Sequence, residues 1–181
     1  MLLSDFVLTL VHVIPKHLIM KLHFMSVLAI GILFTFSCQR VNPEKEMAAI
    51  MDVLNEESAA SLAGDFERYA ATHIQDDLET RVEMGIHSYN VYKGWEEIGT
   101  VMHDFIDGNP LTDAVNRKEN VRIRVKGNSA WLICDNIWET DVPEKHIVFN
   151  NLQTVFLEKV KGEWKISFAS YYNKGNPDES Y

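Results

Sequence analysis

Hydrophobic positions along the chain follow two different spacings. Apolar residues recur every three or four positions between residues 47 and 62, which predicts an amphipathic helix of about 18 residues. Gly64 ends this helix, and Asp65 is placed to cap a short second helix over residues 66–71. A third helix is predicted to begin at Trp95, because apolar side chains again recur on one helical face.

The last third of the chain alternates apolar and polar residues instead. The sequences VRIRV, SAWLICDNIWET, HIVFNNLQTVFLEKV and WKISFASYY predict four antiparallel strands, with tight turns at KGN and KGE. An earlier strand is predicted near residues 78–84, and the GIHSYNVYKG sequence after it is predicted to be a loop. Runs such as AWLI and TVFL are apolar at consecutive positions, so both faces of the sheet need a cover.

The N-terminal segment has the composition of a targeting sequence. From Met20 it reads MKLHFMSVLAIGILFTFSC, with a methionine and one lysine before an apolar run that ends at Ser37 and Cys38. A charged start, an apolar stretch and small residues before a cleavage point are typical of a signal peptide. We therefore predict a signal segment over residues 1–37, with translation starting at Met20.

A lipid anchor is predicted at Cys38. The end of the apolar run at this cysteine resembles the lipobox of bacterial lipoproteins, whose cysteine is acylated and becomes the first mature residue. An ordinary secretory signal and an uncleaved anchor are the alternatives. The expected location is the bacterial cell envelope, with the protein exported and anchored to a membrane in the periplasm or the outer membrane. The expected organisation is a tether over residues 38–45, one domain over 46–174 and a tail over 175–181.

Charge and cysteine content argue against a nucleic-acid partner and against an intrachain disulfide. The chain has 181 residues and a formal net charge of −9, and it lacks a basic stripe with interleaved aromatics, so nucleic acid is not an expected partner. Cys134 would be the only free cysteine once Cys38 is acylated, so no intrachain disulfide is expected. The stability of the domain must come from packing.

Three short motifs accompany this order of helices and strands. They are a GD pair after the first helix, YKGWEEI at the third helix, and T-x-F followed by G-x-W-K-I on the last hairpin. Their residues are Gly64, Asp65, Tyr92, Gly94, Trp95, Ile98, Thr154, Phe156, Gly162, Trp164, Lys165 and Ile166. Together with the order of the elements, these motifs resemble the nuclear transport factor 2-like superfamily, and the SnoaL-like branch in particular.

The resemblance implies an α+β fold, a cone-like roll in which three N-terminal helices pack on a curved, mostly antiparallel sheet around an apolar cavity. It also implies a homodimer, because the other face of the sheet commonly pairs with a second copy. Members with this closing pattern often carry histidine at the fourth and sixth positions after the tryptophan, where this chain has Phe168 and Ser170. We therefore expect a domain that binds a small apolar molecule, with no cofactor, no metal and no clear catalytic machinery.

Seven side chains are candidates for the lining of such a pocket. Aromatic rings would form its walls and neutral polar groups would orient the ligand, although each ring could equally fill a core. The candidates are Tyr89, Trp95, Trp138, Gln153, Phe168, Ser170 and Tyr172.

A catalytic alternative rests on Asp135 and His87. Asp135 lies in mid-strand between apolar pairs, where an inward carboxylate would have a raised pKa suited to a general base. Asn136 has the opposite parity, so only one of these two can face a cavity, and Asp135 could instead face solvent or a neighbouring arginine. The implied enzyme would be a cofactor-independent isomerase, dehydratase or cyclase. A dimerisation or scaffold module without a cavity is the third alternative.

Overall fold

The computed structural model describes residues 42–173, except residues 86, 109–112 and 143–144. The predicted signal segment, the predicted lipidation site Cys38 and the predicted tail over residues 175–181 lie outside the described residues. Within the described part of the chain, no helix is long and apolar enough to cross a membrane.

Three helices are present where the apolar spacing predicts them: α1 (Pro43–Leu62), α2 (Phe66–Ala71) and α3 (Trp95–Gly108). Asn42 caps α1, because its side chain accepts hydrogen bonds from the backbone of Glu44 and Lys45. Asp65 caps α2, as the sequence predicts, by accepting a 3.0 Å bond from the backbone nitrogen of Arg68.

The described strands form one six-stranded sheet in the order β2-β1-β6-β5-β4-β3. All neighbouring strands are antiparallel except β1 and β6, which run parallel. The fold is therefore α+β, with helices packed on a mostly antiparallel sheet. The strands are β1 (Thr80–Met84), β2 (Tyr89–Lys93), β3 (Val115–Lys126), β4 (Ser129–Val142), β5 (Lys145–Val160) and β6 (Glu163–Asn173).

The segment predicted as a loop after β1 is a strand in its second half. Each residue of β2 pairs with β1, from Tyr89 opposite Met84 to Lys93 opposite Thr80. The prediction of a loop over this segment was wrong, because a five-residue edge strand with mixed polarity has too little alternation to be read from sequence.

Two apolar clusters hold the helices on one face of the sheet, which we call the inner face. The first joins α1 to the middle strands through Ile50, Leu54, Leu132, Val155 and Ile166. The second joins the three helices through Ala60, Tyr69, Ile98, Met102 and Ile106. The opposite side of the sheet, the outer face, has no helix against it among the described elements.

A β-bulge in β6 changes which side chains face the helices. Leu157 pairs with Ile166 but Phe156 pairs with Phe168, so Ser167 is an extra residue without a partner on β5. Trp164 and Ile166 face inward before the bulge, and Ala169 and Tyr171 face inward after it. The continuous alternation from Trp164 to Tyr172 that the sequence predicts is therefore interrupted. Phe168, Ser170 and Tyr172 lie on the outer face.

Candidate functional site

A cavity of about 710 Å³ lies between the helices and the inner face of the sheet. Its apolar lining consists of Leu62, Met84, Met102, Phe105, Trp138 and Phe149. Its charged lining consists of Glu57, Arg81 and Glu83, and neutral polar groups include Ser58, Ser61, Tyr69, Asn136 and Tyr171. Phe105 and Phe149 are 44% and 47% exposed, so they mark where the cavity opens to solvent.

Helix α1 places Glu57 on the cavity wall. Glu57 follows Leu54 by three positions and Ile50 by seven, so it continues the apolar face of the helix. The residue is only 4% exposed. A carboxylate at such a position requires polar partners, because an ionised group buried without them is strongly disfavoured.

The guanidinium of Arg81 is held by three side chains. Its Nε donates to Glu83 Oε1 at 2.7 Å, and its Nη1 donates to the hydroxyls of Tyr69 and Tyr171 at 3.2 and 3.4 Å. The guanidinium also lies over the Tyr171 ring, 4.4 Å from its centroid. Burial lowers the pKa of Arg81, but the nearby Tyr69, Tyr171 and Glu83 side chains outweigh this and raise it well above its ordinary value. Arg81 is a fixed cation in the cavity wall.

Both tyrosines of this cluster stay protonated at neutral pH. Burial is the main cause that raises the pKa of Tyr69 and of Tyr171 above the ordinary tyrosine value. The Tyr171 hydroxyl therefore has a proton to give, and it donates to Glu57 Oε1 at 2.9 Å. One phenol thus connects the guanidinium of Arg81 to the carboxylate of Glu57.

His73 lies behind this wall, between two carboxylates. Its Nδ1 contacts Glu79 Oε1 at 2.5 Å, and both side chains are 2% exposed. Its Nε2 is 3.8 Å from Glu57 Oε1 and has no hydrogen-bond partner among the described residues. The imidazole ring packs against the rings of Tyr69 and Trp95, with centroids 4.6 and 5.3 Å away. Glu57 therefore joins the cavity to a buried histidine and a second acid.

The loop between α2 and β1 fixes the position of Glu79. The backbone nitrogen of Gln75 donates to Glu79 Oε2 at 2.9 Å. The backbone nitrogen of Gly94 donates to the Glu79 carbonyl at 2.8 Å, and Gly94 has a φ of 77° that a glycine adopts without strain. The glycine before α3 thus anchors the segment that carries the buried acid.

A second, half-buried cation lies beside α1, at Lys118. Its ammonium donates to the Leu54 carbonyl at 3.1 Å, and to Ser58 Oγ and Asn116 Oδ1 at 2.8 Å each. Burial lowers the pKa of Lys118, while the nearby Glu57 and Cys134 partly oppose that change. Burial also raises the pKa of the Cys134 thiol to about 11, so this cysteine is a protonated core residue.

Solved structures share this architecture over most of its length. An NTF2-like protein of unknown function from Shewanella baltica OS155 is 19% identical, with a TM-score of 0.55, and the match covers 76% of this chain and 100% of that protein. An NTF2-like protein with a cystatin-like fold from Novosphingobium aromaticivorans is 14% identical, with a TM-score of 0.59 over 78% of this chain and 88% of its own. This chain has the fold of nuclear transport factor 2-like (NTF2-like) proteins.

The association domain of CaMKII from C. elegans has the same architecture. It is 16% identical to this chain, with a TM-score of 0.58, and the match covers 71% of this chain and 96% of that domain. Neither a protein-family model nor a curated protein matches the sequence. Identities this low show a shared fold alone, so the function of this NTF2-like chain has to be argued from its own cavity.

The NTF2-like sheet brings only one of the seven predicted pocket residues to the cavity, namely Trp138. The bulge at Ser167 turns Phe168, Ser170 and Tyr172 to the outer face. Tyr89 is 68% exposed on the edge strand. Trp95 packs against the helical cluster, and Gln153 is buried in the core, where its Oε1 lies 3.7 Å from the Cys134 thiol.

Neither predicted catalytic candidate is in the cavity lining. Strand parity turns Asn136 inward, where it is 2% exposed and accepts a 2.8 Å bond from Asn116 Nδ2. Asp135 has the opposite parity and accepts a 2.6 Å bond from Asn120 Nδ2 on the neighbouring strand. His87 is exposed in the turn between β1 and β2.

The charged residues of the cavity were missed in the sequence, although a signal for them exists. Glu57, Ser58 and Ser61 fall on the apolar face of α1, where solvent-exposed polar residues are not expected. Arg81 and Glu83 alternate in a strand that carries Val82 between them. Polar residues at positions that periodicity assigns to the core are the pattern that indicates a site.

Proposed function

We propose that this NTF2-like domain binds a small molecule in the cavity between its helices and its sheet. The observation that carries the proposal is the cavity itself: about 710 Å³, with an apolar wall and a buried cluster of polar groups. Small-molecule sites typically span roughly 300–1,000 Å³ and combine apolar walls with a few placed polar groups. Arg81, Tyr171 and Glu57 are such groups, because their mutual contacts hold them in fixed positions.

Binding of a neutral dye tests this proposal. N-phenyl-1-naphthylamine is uncharged at neutral pH and becomes fluorescent in apolar surroundings, and we expect saturable binding of one dye per chain. Ser61→Trp places an indole in the cavity and should weaken binding by about tenfold or more, because the added ring takes up ligand space. Ala59→Trp lies on the exposed side of the same helix and should leave binding unchanged.

Two results would contradict the proposal. One is the absence of saturable dye binding to the folded chain. The other is equal affinity of the two tryptophan variants, because dye that binds outside the cavity would not distinguish Ser61 from Ala59.

We further propose that the domain belongs to the SnoaL-like branch and acts as a lipoprotein of the bacterial cell envelope. The support for the branch is the closing T-x-F and G-x-W-K-I pattern, and the support for the anchor is the apolar run that ends at Cys38. A lipid anchor would keep the binding domain at a membrane surface through a short polar tether.

A second candidate function is self-association through the outer face of the sheet. Phe156 and Tyr172 are 48% and 49% exposed on this face, and the ring of Phe168 meets that of Phe156 with centroids 5.6 Å apart. Exposed aromatic groups of this kind favour a protein partner. One solved structure with this fold is an association domain. Self-association uses the face opposite the cavity, so both functions can coexist.

A further inference from the structure

Glu57 is a buried acid on the cavity wall without a permanent cation beside it. Among the described residues, no lysine or arginine nitrogen lies within 4 Å of its carboxylate, and His73 at 3.8 Å is its one ionisable basic neighbour at that range. A buried carboxylate normally has a cation or several hydrogen-bond donors. The donor that Glu57 does have is the Tyr171 hydroxyl.

His73 cannot balance the charge that surrounds it. Its Nδ1 is already in contact with Glu79 while its Nε2 faces Glu57, so one imidazole stands between two carboxylates. Even a protonated His73 would offset one of these two negative charges. The group of Glu57, His73 and Glu79 therefore keeps a net negative charge while both acids are ionised.

The two half-buried cations nearby, Arg81 and Lys118, already have partners. Arg81 is paired with Glu83, which also lines the cavity. Lys118 directs its three hydrogen bonds to neutral acceptors and to none of the Glu57 atoms. The described lining of the cavity thus holds two carboxylates, at Glu57 and Glu83, and one permanent cation, at Arg81. One negative charge is in excess there when both acids are ionised, and Glu79 and Lys118 outside the lining add one charge of each sign.

The aromatic lining also favours a positively charged ligand. Trp138, Phe149 and Phe105 line the cavity, and aromatic faces attract cations through their negative π surface. The whole chain has a formal net charge of −9, which raises the local concentration of cations and lowers that of anions. An anionic ligand at Arg81 would lie beside the Glu83 carboxylate, which already accepts from Nε, and close to Glu57, which Tyr171 connects to Arg81.

From this charge count we propose that the cavity takes a ligand with an apolar body and a protonated amine, and that the amine binds at Glu57. The inference rests on the proposed function, because it assigns a ligand class to the same cavity. The amine supplies a cation in direct contact with Glu57, which no lysine or arginine nitrogen of the described residues provides within 4 Å, and the apolar body lies against the aromatic wall.

Three probes with one skeleton and different charge test the proposal on the full chain. They are 2-naphthylmethylamine, 2-naphthylmethanol and 2-naphthoate, which are cationic, neutral and anionic at pH 7, and their affinities are measured by calorimetry. We expect the amine to bind about tenfold more tightly than the alcohol, and the carboxylate to bind most weakly. This ranking is measured on the wild-type chain and does not depend on a variant that folds.

Glu57→Gln locates the effect. This substitution should reduce the preference for the amine to within about threefold of the alcohol while affinity for the alcohol is retained. Glu163→Gln removes an exposed carboxylate at the β5–β6 turn and should keep the wild-type preference.

The outcomes separate this inference from the proposed function. If N-phenyl-1-naphthylamine binds but 2-naphthylmethylamine binds no more tightly than 2-naphthylmethanol, the ligand class alone is overturned. Tighter binding of 2-naphthoate has the same meaning, as does an unchanged preference for 2-naphthylmethylamine in a folded Glu57→Gln chain. If neither the dye nor any naphthyl probe binds, the proposed function fails and the inference fails with it.

Discussion

Tyr171 and Tyr172 are neighbours in β6, but their hydroxyls have opposite surroundings. Tyr171 faces the cavity, donates to Glu57 and accepts from Arg81, so its hydroxyl is part of a buried network. Tyr172 is 49% exposed on the outer face. The two residues therefore form a natural pair in which the same chemical change is made on either side of one strand.

Removing each hydroxyl in turn measures how much the buried network contributes to the free energy of unfolding. We expect Tyr171→Phe to lower the free energy of unfolding by about 1–3 kcal/mol, because Glu57 loses its donor and remains buried. Tyr172→Phe should change it by less than about 0.5 kcal/mol. Urea denaturation followed by circular dichroism gives both values. Equal effects would contradict the placement of the two rings on opposite faces.

Residue-level predictability depended on whether local spacing determines the environment of a side chain. Asn136 or Asp135 had to face the cavity because strand parity allows only one of them, but the sequence could not tell which. His73 and Glu79 are six positions apart in an irregular segment, where no periodicity indicates that their side chains meet. Their contact depends on the loop that Gly94 anchors, which is a tertiary feature.

At the scale of elements, the helices were the most predictable part of the chain. Their apolar stripes repeat over several turns and their caps, Asp65 among them, have direct sequence signatures. Strand β6 was predicted as an element, yet the faces of its second half were not. One unpaired residue at Ser167 reverses the parity of all residues that follow, and nothing in WKISFASYY marks the position of the bulge.

The bulge leads to a prediction about the number of residues in β6. Deleting Ser167 would remove the extra residue and restore regular pairing with β5, while Ala169 and Tyr171 stay on the inner face and Phe168 and Ser170 stay on the outer face. We expect the deletion variant to keep cooperative thermal unfolding and to lose less than about 3 kcal/mol of unfolding free energy, because every other side chain of β6 keeps its face and only the local kink and twist of the bulge are lost.

The matched control for this deletion is Ser167→Ala, which keeps the length of the strand. Its hydroxyl makes one exposed 3.4 Å contact with the Phe156 carbonyl, so the substitution should cost less than about 1 kcal/mol. Calorimetry on both variants distinguishes the effect of strand length from the effect of losing the Ser167 hydroxyl. A deletion variant that no longer unfolds cooperatively would show that Ser167 is not simply an extra residue and that β6 needs the bulge itself.

At the scale of the whole molecule, the order of helices and strands, together with the motifs that carry the superfamily resemblance, was sufficient to predict the α+β architecture. The four-strand meander was also readable, because its strands are long and its turns are short. The volume and polarity of the cavity were not readable, since they arise where α1, β1 and β6 meet from distant parts of the chain.

Processing before Cys38 gives a prediction about the mature chain. We expect intact-mass measurement of the protein from native membranes to show an acylated chain that begins at Cys38, since the apolar run ends at this residue. Cys38→Ser should prevent acylation and release the domain from the membrane fraction. A mature chain that retains Met20, or one that starts after Cys38 without lipid, would contradict the anchor.

The outer face of the sheet leads to a prediction about assembly. Strands with apolar side chains on both faces need two covers, and the described helices lie on the inner face alone. Phe156 pairs with Phe168 across β5 and β6, so the two rings lie at the middle of the uncovered face. A second copy of the chain supplies the same aromatic surface, which allows a symmetric contact.

We therefore expect a homodimer at micromolar concentration, measured by sedimentation velocity. Phe156→Asp should convert it to a monomer, because a carboxylate at the centre of the contact would be buried without a partner. Leu78→Asp makes the same change at a residue that is 86% exposed in the loop before β1, and this variant should stay dimeric. A wild-type monomer, or a Phe156→Asp variant that remains dimeric, would show that another part of the chain or another surface covers the outer face.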